Sequence, residues 1–489
     1  MKNPFRNKSY TAKQVVIASA GTVVAIVVIV MAIMTKFYAL YNGSDFDFST
    51  CLFAAIIVVS LLMLGMQLYI ISSAPKTIKH ANYYFAYMSV FVFVFVAGNF
   101  MSAISPLLIP VAFCALLVFA IARNKTHPFV LNTVCVLIHL MAGLLEYLIT
   151  SGNVKTVFDL IGNEYLWELF VMCLVNILIG GLLPYCIKYT TKRTGYILIC
   201  FIFDCLTFGL ITLLVFVNPQ LATAYDDLWL VAIAVFVPLV AGMIINPVIE
   251  SSFNLVTTTR LVELTDNKQP LIERLIAEAP GTYNHCMTVA NLAEICANAI
   301  GEDPYLARAA AYYHDVGKLE NPNFFAENQS THNPLDELLP EVSVQIIKGH
   351  TEKGYKLCDK QRIPDEIKNI TIEHHGTLPI TIFYERAKLL TDGEVDIKEY
   401  SYQGKTPTSK IAAIIMICDS GEAAIRAMDK PDGARVDKVL KSLIDDRIKL
   451  GQFDNCDISL KELNTVRQAI NEAFGGLYHK RLKYPGGEK

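Results

Sequence analysis

Six of the ten histidines in this 489-residue chain fall between residues 281 and 376. Most of them belong to an ordered series of histidines and aspartates: His285, His314, Asp315, His350, His374, His375 and Asp419. Imidazole nitrogens and carboxylate oxygens are ligands suited to Fe, Mn or Zn. His332 in QSTHNP and His479 in YHKR are instead predicted to lie on the surface. The series as a whole, rather than any single His-Asp pair, predicts a metal site.

The adjacent pair His314-Asp315 suggests more than one ion. Neighbouring residues of a regular helix point about 100° apart, so both side chains do not comfortably reach one ion. The pair suits two neighbouring ions, with the aspartate bridging them. Two cations that share a water lower its pKa and so produce a hydroxide nucleophile. No Ser/His or Cys/His nucleophile pattern is evident, so the residues by themselves indicate chemistry carried by metal ions.

Residues 281–489 form the predicted catalytic domain, and their apolar spacing is almost entirely helical, without convincing alternating strands. Helices are predicted over 283–300, 304–316, 341–357, 409–428, 434–449 and 459–477, with another starting near Pro364. The stretch 378–408 contains Pro379, Gly393, Gly404 and Pro407, and is predicted to be a loop near the site.

The N-terminal half is very apolar. The whole chain is 53% hydrophobic and 18% charged, and nearly all long apolar runs precede Glu250. Since a spanning helix needs about 20 apolar residues, eight spans are predicted: 14–35, 51–73, 84–102, 105–123, 128–150, 167–187, 195–217 and 228–250. The predicted fold class is all-α. Residues 1–50 would hold one transmembrane helix and a short external loop, residues 51–250 a seven-helix transmembrane domain, and residues 251–280 a linker helix.

The charges of the loops predict the orientation. Basic residues gather in the segments expected inside: Lys2, Arg6, Lys8, Lys13, Lys76, Lys79, Arg123, Lys125, Lys188, Lys192 and Arg193. Acidic residues dominate the segments expected outside: Asp45, Asp47, Asp159, Glu164, Asp226 and Asp227, with Lys36 and Lys155 as the basic exceptions. The positive-inside rule then predicts a multi-pass membrane protein with both termini in the cytoplasm.

Polar residues inside the predicted spans have two interpretations. Gln67, Asn99, His139, Glu146, Asn176 and Asp204 either form a ligand pocket or ion path, or make interhelical hydrogen bonds. The linker carries apolar positions at helical spacing, broken at Pro270, and is expected to pack against a second subunit or the catalytic domain. The 12 cysteines contain no CxxC pair and are expected to be free thiols. No basic stripe suggests DNA or RNA binding.

Several longer motifs surround the histidine series: APGTYNHC (279–286), ANLAE (290–294), YHDVGK (313–318), NPNFFAENQ (321–329), HHGT (374–377), ICDSGEAA (417–424) and GQFDNCDISLKEL (451–463). They resemble the membrane-bound HD phosphodiesterases of the 7TM-HD, PgpH type, from roughly residue 85 to the C-terminus. The resemblance implies an all-helical HD domain that hydrolyses cyclic di-AMP to linear pApA, with two divalent ions, Mn or Fe. A homodimer through the linker helix or the HD domain is a further expectation.

The same resemblance implies the ligands. One metal is expected on His285, His314, Asp315 and Asp419, and the second on Asp315, His350, His374 and His375. Asp315 and Lys318 are the expected catalytic residues. Lys318 follows His314 by four positions and would bind a phosphate oxygen, unless it is a surface lysine at a helix end. Thr377 is the other expected phosphate contact, and Asn328 and Gln329 would line the base pocket.

The chain departs from the family at one place, and two other functions stay open. Only about 15 residues separate Lys36 from Thr50, where typical members carry a large extracytoplasmic domain. Any signal is therefore expected to arrive through the helical bundle or through the helix at 251–269. One alternative is an HD enzyme acting on another nucleotide such as cyclic di-GMP, although the GYP triplet of those enzymes is absent. The other is a non-catalytic nucleotide-binding membrane receptor, which the seven retained ligand positions disfavour.

Overall fold

A computed structural model describes residues 11–41, 48–73, 81–110, 112–121, 126–151, 163–187, 190–217, 226–329, 332–390, 393–429 and 432–477. Within these ranges the protein contains helices and turns, and the only strand-like pairing is an isolated bridge between Pro379 and Ser401. The predicted all-α class is confirmed. Part of the orientation argument lies outside the described residues, as does one surface histidine: Lys2, Arg6, Lys8, Asp45, Asp47, Lys76, Lys79, Arg123, Lys125, Lys155, Asp159, Lys188 and His479.

The chain divides into two compact units, Met1–Thr259 and Arg260–Lys489. The first contains α1 (Ala12–Tyr41), α2 (Phe48–Ser73), α3 (Ala81–Met101), α4 (Phe113–Ile121), α5 (Thr126–Ser151), α6 (Glu164–Ile187), α7 (Arg193–Val217) and α8 (Leu228–Ser252). Among the described residues, seven of these helices are long and apolar enough to cross a membrane, all but α4. Large apolar side chains face outward on them, such as Leu61, Leu213 and Val240. Such an apolar surface is stable in contact with lipid tails and unfavourable in contact with water.

The fourth predicted span, 105–123, differs from the prediction of one continuous helix. Its described residues form a 3₁₀ turn at Pro106–Leu108 and then the short helix α4. Proline lacks an N–H and disfavours a helical residue before it, and Pro106 and Pro110 both fall here. Asn176 pairs with the backbone groups at this break: it accepts from the Ala112 N–H at 2.8 Å and donates to the Pro110 carbonyl at 2.9 Å. The placement of both termini on one side, which needs this segment to cross, stays a prediction.

Lys36 does not lie in an external loop as predicted. It is 3% exposed, and its Nζ lies 2.6 Å from Glu146 Oε2 and 3.1 Å from Ser102 Oγ. The Tyr165 hydroxyl donates to the same carboxylate oxygen at 2.9 Å. Loop assignment from sequence failed here because α1 continues through Lys36 to Tyr41. A buried ion pair between α1 and α5 is the result.

Three of the polar residues in the spans make interhelical hydrogen bonds. Gln67 donates to Ser19 at 2.7 Å, Asn99 donates to the Ala32 carbonyl at 3.1 Å, and Asn176 bonds the broken segment described above. The bonds of Gln67 and Asn99 each join two different helices, and those of Asn176 join α6 to the broken segment. The hydrogen-bond interpretation is therefore confirmed for these positions. Buried amides paired in this way satisfy groups that lipid cannot.

The second unit continues from α9 (Thr258–Leu264), which starts just before its boundary. It contains α10 (Pro270–Glu278), α11 (Pro280–Ile300), α12 (Pro304–Tyr313), α13 (Pro340–Lys360), α14 (Asp365–Lys368), α15 (Ile370–Glu373), α16 (Thr381–Leu390), α17 (Lys410–Arg426), α18 (Gly433–Lys449) and α19 (Leu460–Leu477). Side chains cap several N-termini: Asp303 accepts from Tyr305 N, and Ser409 accepts from Ala412 N. In α17 every residue from Ile411 to Asp419 is buried, so this helix forms the centre of the unit.

The region 378–408, predicted to be a loop, contains the helix α16. The prolines and glycines that suggested a loop lie on either side of Thr381–Leu390, and the helix itself has none. Phe383 and Ala387, four residues apart, are buried in an apolar cluster with Leu335 and Val344. Tertiary burial of one face therefore stabilises a helix that the flanking breakers concealed.

Candidate metal centre

Seven side chains converge in the second unit, and they are the seven predicted from the sequence. His285 comes from α11, His314 and Asp315 from the end of α12, His350 from α13, His374 and His375 from the end of α15, and Asp419 from α17. They form two groups in which the candidate ligand atoms lie within 4.8 Å of one another: Asp315, His350, His374 and His375, and separately His285, His314, Asp315 and Asp419. Asp315 is common to both groups.

The end of α12 explains how His314 and Asp315 share a group. The helix ends at Tyr313, and Asp315 has φ −111° and ψ 12°, outside the helical region. The prediction that the two side chains diverge assumed a regular helix, and that assumption was wrong. The turn after Tyr313 brings both side chains to the same side.

The two oxygens of Asp315 face different histidine pairs. Oδ2 lies 3.3 Å from His314 Nε2 and 3.7 Å from His285 Nε2. Oδ1 lies 3.3 Å from His350 Nε2 and 3.6 Å from His374 Nε2. The carboxylate therefore lies between the two groups, in the position that a bridging ligand requires.

Backbone carbonyls fix the orientation of three of the imidazole rings. Nδ1 of His314 lies 2.7 Å from the Ala311 carbonyl, Nδ1 of His350 lies 2.6 Å from the Ile347 carbonyl, and Nδ1 of His374 lies 3.1 Å from the Ile370 carbonyl. A carbonyl only accepts, so Nδ1 must carry the proton and Nε2 presents its lone pair to the centre of the site. This arrangement is typical of histidines that bind metals.

His285 is oriented by a residue that the sequence analysis missed. Its Nδ1 lies 2.7 Å from Glu422 Oε2, and its Nε2 lies 2.9 Å from Asp419 Oδ1. Glu422 follows Asp419 by three residues on α17, so it shares a helix face with a predicted ligand. That spacing was the available signal.

Two buried atoms of the site lack a hydrogen-bond partner among the described residues: His314 Nε2 and Asp315 Oδ1. A buried polar atom without a partner is costly. They face different ligand groups, so a cation in each group would accept a lone pair from one of them and remove that cost. The nitrogen and oxygen donors fit a divalent cation of the Fe, Mn or Zn kind. The residues present therefore fit divalent metal binding.

The surroundings of the candidate ligands shift their pKa values in different directions, so that some side chains are favoured as neutral and others as charged. Burial lowers the pKa of His374, and lowers that of His375 well below its ordinary value, which favours neutral rings. Burial acts to raise the pKa of Asp315, but the Lys318 ammonium and His314 outweigh it and hold this pKa well below the usual range. Burial likewise opposes the charged form of His285, yet hydrogen bonds with Asp419 and Glu422 raise its pKa to about 9.

Lys318 lies within the site, with its side chain only 12% exposed, rather than on the surface at a helix end. It lies on the 3₁₀ turn Val316–Glu320, with Nζ 2.7 Å from Asp315 Oδ2 and 2.7 Å from Glu327 Oε1. Gly317 allows this turn to pack on α13, since a Cβ there would lie 1.8 Å from the His350 carbonyl oxygen. Glu327, which the sequence analysis did not single out, holds the lysine from the other side. A phosphate contact by Lys318 stays a prediction.

The other expected substrate contacts lie in loops around the site. Thr377 is exposed, and both its N–H and its hydroxyl bond to Gln452. Asn328 accepts from the Thr282 N–H at 3.1 Å, and Gln329 donates to the Asn323 carbonyl at 3.1 Å. These bonds hold the loops in place, and base contacts by either amide stay predictions. His332 is exposed, as predicted.

Residues 282–424 match the HD domain family, so the second unit contains an HD domain. The chain is 40% identical over 244 residues to the cyclic-di-AMP phosphodiesterase PgpH of Bacillus subtilis (strain 168), and 41% identical over 247 residues to the protein of the same name from Listeria monocytogenes. Each match covers 50% of this chain and 34% of the relative. The chain thus spans about a third of the length of these curated relatives.

A crystal structure of the L. monocytogenes PgpH HD domain in complex with cyclic-di-AMP has 41% sequence identity, with a TM-score of 0.43. The match covers 44% of this chain and 100% of that one.

Proposed function

We propose that this chain is a membrane-anchored phosphodiesterase that hydrolyses cyclic di-AMP to linear pApA, using two divalent cations. The observation that carries the proposal is the position of Asp315, whose two carboxylate oxygens face the two histidine pairs. A binder that does not cleave its ligand would not need a second group of ligands built around a shared carboxylate. The paired arrangement therefore favours hydrolysis over simple nucleotide binding.

Each group of the site has a proposed role. His285, His314, Asp315 and Asp419 would hold one cation, and Asp315, His350, His374 and His375 would hold the other. When bound, two such cations lower the pKa of a shared water and neutralise charge on the phosphate. Lys318 and Glu327 keep Asp315 in place, and Glu422 does the same for His285. Mn and Fe are the metals that we propose.

The choice of substrate rests on the relatives. Two proteins that are 40% and 41% identical to this chain are named cyclic-di-AMP phosphodiesterases. The substrate would bind at the HD domain, residues 282–424. Cyclic di-AMP is thus favoured over cyclic di-GMP.

We also propose that the enzyme lies in a bacterial cell membrane with its HD domain on the cytoplasmic side. The distribution of basic residues along the first unit supports this orientation. Cyclic dinucleotides are cytoplasmic messengers, so the catalytic domain would meet its substrate there. A homodimer through the linker or the HD domain is part of the same proposal.

The proposal is tested with the full chain in detergent micelles. The protein is loaded with Mn²⁺, or with Fe²⁺ without oxygen, and given cyclic di-AMP, cyclic di-GMP and a mixed cyclic dinucleotide in parallel. We expect pApA from cyclic di-AMP and two bound metal ions per chain. Asp315→Ala should lose activity and metal, whereas Asp445→Ala, at an exposed aspartate of α18, should lose neither. Nucleotide binding without any product would instead support the receptor alternative.

A further inference from the structure

Gln452 is a buried amide beside the loop that carries His374 and His375. It is 1% exposed and lies in the turn after α18, where its N–H donates to the Arg447 carbonyl at 2.9 Å. The preceding Gly451 has φ +65°, a left-handed conformation that glycine adopts readily. The backbone thus points a glutamine side chain inward at a fixed place.

The side chain of Gln452 makes three hydrogen bonds. Its Oε1 accepts from the Thr377 N–H at 3.0 Å. Its Nε2 donates to the Thr377 hydroxyl oxygen at 2.8 Å and to the Leu450 carbonyl at 3.1 Å. The Thr377 N–H can only donate and the Leu450 carbonyl can only accept, so these two partners determine which way the amide points.

This orientation determines the role of the Thr377 hydroxyl. Because it already accepts a bond from Gln452, its own proton is left to donate to another group. Across the described part of the chain, no acceptor is paired with that proton, and Thr377 is exposed. The hydroxyl is thus prepared to donate to an acceptor that arrives from outside.

The conformation of the loop at Gly376 allows the contact between Gln452 and Thr377. Gly376, between His375 and Thr377, has φ +53°, and a Cβ there would lie 2.1 Å from Gln452 Oε1. Only glycine leaves room for the amide to approach the loop this closely. Thr377 is therefore held directly after the two histidines of the metal centre.

We infer that Gln452 is a positioning residue that makes the Thr377 hydroxyl a hydrogen-bond donor to a phosphate oxygen of the substrate. The inference rests on the proposed function, since it assigns the acceptor to a cyclic dinucleotide. Donation to an anionic oxygen is a charge-assisted bond, stronger than one between neutral groups. Its contribution should appear in substrate affinity, since the bond forms when the phosphate binds.

Gln452→Glu tests the direction of this bond. The carboxylate has nearly the same shape but cannot donate, so the Thr377 hydroxyl must donate to it and is lost to the substrate. We expect KM for cyclic di-AMP to rise about tenfold, the size of one lost hydrogen bond to a charged group, with kcat and metal content close to wild type. Thr377→Val should show the same rise, whereas Thr377→Ser, which keeps the hydroxyl, should have the wild-type KM. Gln361→Glu, an exposed glutamine in the same unit, is the matched control.

The double variant Gln452→Glu/Thr377→Val distinguishes positioning from an unrelated effect. If Gln452 acts through Thr377, the double variant has the KM of either single variant; additive effects would overturn the inference. An unchanged KM in Gln452→Glu would overturn it as well. If Gln452→Glu does not fold, Gln452→Met keeps the side-chain length without any of the three hydrogen bonds, and its KM should also rise.

Equilibrium binding of cyclic di-AMP to chelator-treated protein separates this inference from the proposed function. If wild-type protein binds the nucleotide in this measurement but does not cleave it when loaded with metal, the proposed function alone is refuted. Equal affinities of wild type and Gln452→Glu in that measurement refute the role of Gln452 alone.

Discussion

Glu422 offers the sharpest test of how the site is built. Its Oε2 lies 2.7 Å from His285 Nδ1, and its side chain is 7% exposed. Replacing Glu422 by alanine removes the acceptor that orients the ring and adds to its basicity. Loss of such a partner typically weakens metal binding by about 10–100-fold, which corresponds to about 1.4–2.7 kcal/mol. We expect this loss in one of the two ions, because the Nδ1 atoms of His350 and His374 are held by backbone carbonyls and do not depend on Glu422.

The assay is a competitive titration of the purified full chain with a metal chelator, combined with a count of ions per chain. Glu422→Ala should show one weakened ion and one ion of wild-type affinity. Glu422→Gln should fall between Glu422→Ala and wild type, since its amide oxygen still accepts from His285 but carries no charge. Glu352→Gln, at a side chain that is 72% exposed, is the control. Wild-type affinity for both ions in Glu422→Ala would refute the reasoning.

Three further predictions concern stability. Gly317→Ala should destabilise the HD domain by about 1–3 kcal/mol, since the added Cβ meets the backbone of His350; thermal unfolding measures it, and Gly349→Ala, where the nearest atom is 3.7 Å away, should cost nothing. Glu146→Leu should destabilise the first unit by about 3–5 kcal/mol, because Lys36 is left buried without its partner; unfolding in detergent tests this, and adding Lys36→Met should restore most of the loss. The pKa of Glu462 is lowered to about 2 because its bonds with Lys410 and Ser459 outweigh burial. The carboxylate therefore adds stability above its ordinary value of 4.5 that disappears as pH falls toward 2, so the stability difference between wild type and Glu462→Gln should shrink over that range, and a constant difference would contradict the assignment.

The two ion pairs of Lys318 change what a substitution there would mean. A lysine that only contacted substrate would affect KM when replaced. In the structure it neutralises Asp315 and Glu327 at 2.7 Å each, so its removal leaves the buried carboxylate of Asp315 and the partly buried one of Glu327 without their cation. Any loss of activity in a Lys318 variant must therefore be compared with its metal content before a substrate contact is inferred.

The helical class, the long apolar helices and the seven candidate ligands were all predictable from the sequence. Helical spacing and apolar length are local properties, read within one segment. The ligands were recognisable because their residue types and order repeat a known pattern. Only the fold shows that His285 and Asp419, which are 134 positions apart, are in contact.

Other features depend on contacts between distant segments, and the tertiary structure alone decided them. Burial of Phe383 stabilises α16 as a helix although prolines and glycines flank it. The amide of Asn176 forms hydrogen bonds with the backbone groups left unpaired at the break before α4. Lys36 is buried because Glu146, 110 residues away, approaches it. Asp315 reaches both groups because α12 ends at Tyr313 instead of continuing to residue 316 as predicted. Glu422 and Gln452 belong to the site through hydrogen bonds across 137 and 75 positions, and no local periodicity encodes such a bond.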